Sequence, residues 1–191
     1  MRRGIRFWIM ITFVSSFGAA GLACGLPLGG PTPPASPIPV STEAAGQLQD
    51  LWKSAVENSS NGEVSVVVTE EQLTSYAAIK LAEQADPPLS DLQIFLRDGK
   101  VQIYGTAKAG TISTKAVIVL SAAVTPEGAL KLSVDQANFG PLPVPASLLD
   151  DLSKALDEGL TGKLGSQASG LKITSLLIAD GQMTITGTVK K

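Results

Sequence analysis

The chain has 191 residues but contains no histidine and only one cysteine. Histidine is the commonest general base and the commonest metal ligand, so its absence argues against zinc, copper and non-haem iron sites. A single cysteine cannot form a disulfide within the chain. The formal net charge is −2, and a mildly acidic chain is not suited to binding nucleic acid. We therefore predict no metal, no cofactor and no nucleic-acid partner.

The one cysteine, Cys24, follows a basic start and an uncharged apolar run. Three arginines lie at positions 2, 3 and 6, residues 7–22 carry no charge, and Ala23 is the small residue that a signal peptidase needs. This arrangement resembles the bacterial lipobox, in which the cysteine receives a diacylglyceryl group and becomes the mature N-terminus. We predict a lipoprotein signal peptide over residues 1–23 and lipid attachment at Cys24.

A second interpretation of this N-terminus is an uncleaved helix. Gly21 stands where the lipobox has an aliphatic residue, with Leu22 one place later. Sixteen or so apolar residues are a little short of the ~20 that span a bilayer, although local thinning can compensate. Both interpretations hold the chain at a membrane. We predict an exported protein anchored by lipidated Cys24 to the outer face of the cytoplasmic membrane, or to another envelope membrane.

Proline dominates the segment that follows the cysteine. Six prolines lie between residues 27 and 39, and such a segment is expected to stay extended and solvated. We predict a tether over residues 24–40. Residues 25–40 would reach ~50 Å at ~3.1 Å per residue.

The remaining residues, 41–191, are enough for one domain with a core of its own. Without residues 1–23 and their three arginines, 12 basic and 17 acidic residues remain, a formal charge of −5. This sign argues against tight electrostatic docking on anionic head groups.

Helical and strand patterns alternate at the start of this domain. Ser41 is expected to open a helix that ends at Asn61-Gly62. Residues 64–68 form a short β-branched run, and Thr69 to Gln72 is a capping box that starts a second helix, ended by Asp86-Pro87-Pro88.

Two Asp-Gly turns predict hairpins with aliphatic faces. A two-residue loop at Asp98-Gly99 places Leu96 opposite Val101 and Ile94 opposite Ile103. The turn at Asp180-Gly181 places Ile178 opposite Met183 and Leu176 opposite Ile185. Residues 92–108 and 174–190 align without a gap and share six identities, which local convergence and duplication explain about equally well.

Between the hairpins, residues 111–125 and 130–134 predict a strand pair that turns at Pro126-Glu127-Gly128. Residues 116–124 offer apolar side chains to both faces, so both faces must be covered. A helix from about 146 to 160 is expected to provide one cover. The second cover could be more protein, a partner or a lipid. The predicted fold class is α+β, with a long curved antiparallel meander and two or three flanking helices, one laid along the sheet.

This order of elements resembles the bacterial LmeA-like and YpmS-like envelope proteins, which are linked to the tubular lipid-binding (TULIP) superfamily. The shared features are a strand leading into a Thr-Glu-Glu-Gln helix, a Leu-rich strand entering Asp-Gly, a Gly-Pro-Leu-Pro-Val-Pro segment at 140–145, a helix and a closing Asp-Gly hairpin. The resemblance covers roughly Val64 to Val189. It implies a curved sheet with a helix along it that holds an acyl chain or phospholipid between them, and it carries over no functional residue.

An acyl chain needs aliphatic walls without buried charge. The inward faces of the two hairpins supply such walls, and the alternative is that they only form the core. The candidate ligand-lining residues are Leu92, Ile94, Leu96, Val101, Ile103, Leu176, Ile178, Met183 and Ile185.

No catalytic set emerges from the sequence, so we predict that the protein is not an enzyme. Ser169 and Lys172 have Ser-x-x-Lys spacing but precede a strand and lack the companion motifs. Two hypotheses remain: a membrane-anchored lipoprotein whose domain binds an acyl chain or phospholipid, and a scaffolding envelope lipoprotein with a closed core and a protein partner.

Overall fold

The computed structural model describes residues 32–59, 61–85, 87, 89–109, 112–143, 148–150, 152–154, 156 and 171–189. The helices are α1 (Thr42–Glu57) and α2 (Glu70–Ala82), and residues 148–150, 152–154 and 156 are also helical. The strands are β1 (Glu63–Thr69), β2 (Leu89–Arg97), β3 (Lys100–Ala109), β4 (Ile112–Val124), β5 (Leu130–Asn138), β6 (Leu171–Ala179) and β7 (Gln182–Val189).

The strands form two antiparallel sheets. One contains four strands in the order β2-β3-β4-β5, and the other contains three in the order β1-β7-β6. The first sheet is the expected meander, and helices cover the shared core, so the α+β class is confirmed. The sequence patterns did not predict that β1 pairs with β7, because the two strands lie at opposite ends of the domain.

Both helix starts are where the sequence places them. The Ser41 hydroxyl accepts a hydrogen bond from the Ala44 N–H at 3.0 Å. Thr69 and Gln72 form the complete capping box, each side chain bonding the other's backbone N–H. The first helix ends earlier than predicted, at Glu57, because the backbone N–H of Asn58 bonds the Ser54 carbonyl and the N–H of Ser59 bonds the Val56 carbonyl, which closes the last turn.

Both hairpins have the predicted registers. Leu96 pairs with Val101 and Ile94 with Ile103 in the first hairpin, while Leu176 pairs with Ile185 in the second. Asp98 and Gly99 have φ values of 54° and 71°, the left-handed pair that a type I′ turn requires. The local turn chemistry therefore decides which side chains face the core.

Three edge strands of the two sheets contain a β-bulge. The register shifts between Ser90 and Gln93 in β2, around Asp135 in β5 and around Thr174 in β6. A bulge bends its strand and increases the local twist, and it also discourages pairing with another chain. These bulges account for the curvature of the sheets and for aliphatic positions that break strict alternation.

One hydrophobic core joins both sheets and the helices. Three leucines of the third helical region, Leu148, Leu152 and Leu156, are spaced four residues apart and are all at most 2% exposed. This spacing places them on one helical face. The described part of the predicted 146–160 helix thus has its apolar side in the core, and the rest of that prediction lies outside the described residues.

The two sheets meet at a junction around Glu70, the first residue of α2. The Glu70 carboxylate accepts hydrogen bonds from the Leu96 N–H at 2.6 Å and from the Arg97 guanidinium. The Glu70 N–H donates to the Gly181 carbonyl at 3.2 Å, and the Gly181 N–H donates to the Leu96 carbonyl at 3.1 Å. One turn further along α2, the Thr74 hydroxyl accepts from the Ile94 N–H at 2.9 Å. Side chains of α2 therefore satisfy the open edge of β2.

Replacement of Glu70 by alanine is expected to lower the free energy of unfolding by about 1–3 kcal/mol, because it leaves the Leu96 N–H without its acceptor in a part-buried place. Urea denaturation followed by circular dichroism measures this loss. Glu71→Ala is the matched control, since Glu71 lies in the same first turn and is exposed. Equal destabilisation by both variants would show that the effect belongs to the helix terminus and not to the junction.

Candidate functional site

Of the nine side chains predicted to line a ligand site, seven belong to the one core cluster and two pack against it. Leu92, Ile94, Leu96, Val101, Ile103, Met183 and Ile185 are at most 4% exposed. The remaining two, Leu176 and Ile178 on the edge strand β6, are half-buried and pack against the same cluster. The structure thus brings the two aliphatic hairpin faces together, and contact of these residues with a lipid remains a prediction.

The two faces of the four-stranded sheet have different surroundings. On the core side, β2 packs against α2, which in turn packs against α1, and the leucines of the helical region within 148–156 join the same core. On the outer face, Phe95 is 2% exposed, with the Tyr104 ring edge-on at 5.7 Å and the Arg97 guanidinium over its ring. These side chains belong to β2 and β3 themselves, and Lys115 on the same face is exposed, so they leave the choice between a protein, partner and lipid cover open.

The end of the proline-rich segment also lies against this outer face. The Gln93 side-chain amide accepts a hydrogen bond from the Ile38 N–H at 2.5 Å and donates one to the Ile38 carbonyl at 3.1 Å. Pro33 lies beside Tyr104 and Lys115 around a small pocket of about 20 Å³. Pro33 and Ile38 therefore contact the domain, while residues 34–37 between them are exposed, as expected for a solvated segment. The contact at Ile38 forms because the Gln93 amide bonds both the N–H and the carbonyl group of that residue.

A larger pocket opens between the end of α2 and the start of β2. Its volume is about 160 Å³. It is lined by Ala78, Leu81, Ala82, Pro87, Leu89, Ser90, Asp91 and Leu92. Six of these eight side chains are apolar, and Asp91 is the one charged residue among them.

The bulge in β2 shapes this pocket. Because the strand contains one extra residue there, Leu89 and Leu92 both face the core although they are three positions apart. Asp91 has a φ of 53°, a left-handed conformation that costs an aspartate on the order of 1 kcal/mol. Its carboxylate accepts a hydrogen bond from the Thr106 hydroxyl at 2.9 Å, which helps to hold this backbone shape.

Leu89 rests on a glycine in the neighbouring strand. A Cβ atom built at Gly105 would lie only 2.6 Å from the Leu89 Cγ atom. The Leu89 side chain can therefore pack directly on the backbone of β3 only because position 105 has no side chain. Sequence reasoning started β2 at Asp91 and missed Leu89. The available signal was Gly105 itself, since a glycine inside a strand often marks a close approach.

A polar cluster lies on the outer face at the bulge in β5. Asp135 accepts hydrogen bonds from Lys100 at 2.7 Å and from the Ser121 hydroxyl. The hydrogen bond from Lys100, followed by that from Ser121, lowers the pKa of Asp135. A carboxylate so engaged is a weaker base than usual. Within the described residues no group of three or more metal-ligating side chains comes together.

Comparison with known protein families gives a match. The profile of the family described as LmeA-like phospholipid-binding matches residues 38–188. The chain belongs to this family. Comparisons with curated proteins and with solved structures gave no significant match.

The match extends the resemblance seen in the sequence. It starts at Ile38, the residue that Gln93 binds, and so includes α1 as well as every strand. The link to the tubular lipid-binding superfamily stays a prediction. The predicted signal peptide, Cys24 and the start of the predicted tether lie outside the described residues. Among the residues that are described, no helix has both the length and the apolarity to cross a bilayer.

Proposed function

We propose that this protein is a membrane-anchored envelope lipoprotein whose domain binds an acyl chain or phospholipid without catalysing a reaction. The observation that carries the proposal is the family match over residues 38–188. The aliphatic core and the pocket that opens beside it give the match a physical basis. The domain would hold or carry a lipid in the cell envelope.

The chemistry of the core supports an apolar ligand. The buried polar side chains of the described residues are Thr74, Ser75 and Thr114, none of them charged. Thr74 bonds the backbone of Ile94, and the Ser75 hydroxyl accepts from the Ser41 N–H at 3.0 Å. An acyl chain against these walls would meet no unpaired charge, which is the condition for low-cost burial.

The polar clusters support a non-enzymatic role. Ser121 and Lys100 both donate to the Asp135 carboxylate on an outer sheet face. That carboxylate is held by an ion pair and its pKa is lowered, so it is poorly suited to activate the serine as a nucleophile. We infer that this cluster stabilises the bulge in β5.

The anchor and the tether would keep the domain near the bilayer. Since Pro33 and Ile38 contact the sheet, the free tether behind Cys24 would run over residues 25–32. At ~3.1 Å per residue its reach is ~25 Å, about half of the full proline-rich segment. A short tether would bring the lipid-binding domain close to its lipid source.

The second candidate is the scaffolding lipoprotein with a closed core. It is favoured by the burial of seven of the nine predicted lining residues, none more than 4% exposed. Such a domain would contact another envelope protein through its surface. The two candidates differ in whether the purified chain retains a non-covalent lipid.

Native mass spectrometry of the full chain, incubated in detergent with dioleoylphosphatidylcholine, tests lipid binding. We expect a species heavier by one phospholipid that returns to the lighter mass under denaturing conditions. The denaturing spectrum is the control for covalent lipid. This zwitterionic lipid is chosen so that binding reports on its chains and not on net charge. Identical native and denaturing masses would contradict the proposal and favour the scaffold.

Metabolic labelling with a clickable fatty acid tests the anchor. We expect label in the wild-type chain and none in Cys24→Ser, because the thiolate is the acceptor of the diacylglyceryl group. Label that persists in Cys24→Ser, or a wild-type chain without label, would contradict lipid attachment at this residue and favour the uncleaved N-terminal helix.

A further inference from the structure

We propose that the pocket between α2 and β2 receives the terminal carbons of one acyl chain of the bound lipid. This assignment rests on the proposed function and adds to it a place and an orientation. The family match assigns no residues to the ligand. The pocket lies at the end of α2, and Leu92 is the one residue of its lining that was also among the nine predicted from the sequence.

The size of the pocket indicates a chain end. A dry cavity of about 150 Å³ lined by aliphatic side chains binds a molecule of six carbons such as benzene. The pocket here measures about 160 Å³. It is therefore large enough for about six carbons and too small for a whole phospholipid, which must extend out of it.

The lining of the pocket determines which end of the lipid enters. Asp91 is its one charged residue, but the Asp91 carboxylate accepts from the Thr106 hydroxyl on the outer face of the sheet, where that hydroxyl also accepts from Lys115. No cationic side chain lines the pocket to pair with a phosphate or a fatty-acid carboxylate, while its apolar residues suit hydrocarbon. The tail enters, and the head group stays outside.

Small residues on both walls create the space. Ala78 and Ala82 lie four residues apart on α2 and so share one helical face. Opposite them, Leu89 is set back against Gly105. Leu81, Leu89 and Leu92 are at most 4% exposed, whereas Ala82 is exposed. A chain would thus enter beside Ala82 and end against the three leucines.

Hydrogen bonds within the protein hold the backbone of β2 in this shape. The left-handed Asp91 is fixed by its hydrogen bond to the Thr106 hydroxyl, which also accepts from Lys115 at 3.0 Å. Strained residues of this kind concentrate at ligand-contacting sites. The strained residue and the pocket lie at the same bulge.

Photolabelling of the full chain in vesicles tests the assignment. The vesicles consist of dioleoylphosphatidylcholine with a small fraction of phosphatidylcholine that carries a diazirine near the end of one chain. We expect peptide mapping to find label within residues 78–92. Ala78→Leu, which fills the pocket, is expected to reduce this label about tenfold.

Two further variants keep the test decisive. Gln49→Leu, on the exposed side of α1, is the matched control and is expected to label as the wild type does. If Ala78→Leu unfolds, as circular dichroism would show, Ala82→Leu narrows the exposed mouth of the pocket and is expected to reduce the label in the same way.

The outcomes separate this assignment from the proposed function. A wild-type chain that carries phospholipid in native mass spectrometry, but is labelled only outside residues 78–92, overturns the pocket assignment alone. Label at 78–92 that neither alanine variant reduces also overturns it. A chain that binds no phospholipid overturns the proposed function, and the assignment with it.

Discussion

The fold depends on one shared set of hydrogen bonds among Glu70, Leu96 and Gly181. These residues belong to the start of α2, the end of β2 and the turn between β6 and β7, so a single contact joins the helix to both sheets. At a second point, the Ile173 N–H donates to the Gly128 carbonyl at 2.9 Å, linking β6 to the turn after β4. With both ends of β6 fixed, the two sheets enclose one core.

Curvature and the pocket have the same origin. An extra residue in β2, in β5 and in β6 bends the sheets at their edges. In β2 the bulge also turns Leu89 inward and places Asp91 in a left-handed conformation beside the pocket. The irregularity that protects an edge from aggregation therefore also creates the space that we assign to an acyl chain.

Features set by neighbouring residues were predictable, and features set across the fold were not. Asp98-Gly99 fixes its hairpin register through local backbone conformation, and Thr69 with Gln72 caps α2 within one turn. The pairing of β1 with β7 joins residues far apart in the sequence, and so do the hydrogen bonds between the Gln93 amide and the Ile38 main chain. The candidate wall was predicted as a set of faces, but the pocket requires the bulge and Gly105, which periodicity does not reveal.

The central claim is that this domain holds a phospholipid with one acyl chain ending between α2 and β2. The most direct measurement is a set of intermolecular nuclear Overhauser effects between the terminal methyl of a bound, isotope-labelled phospholipid chain and protein methyl groups. The account predicts contacts to Leu81, Leu89 and Leu92. Contacts confined to other residues, or none from a phospholipid shown to be bound, would contradict it.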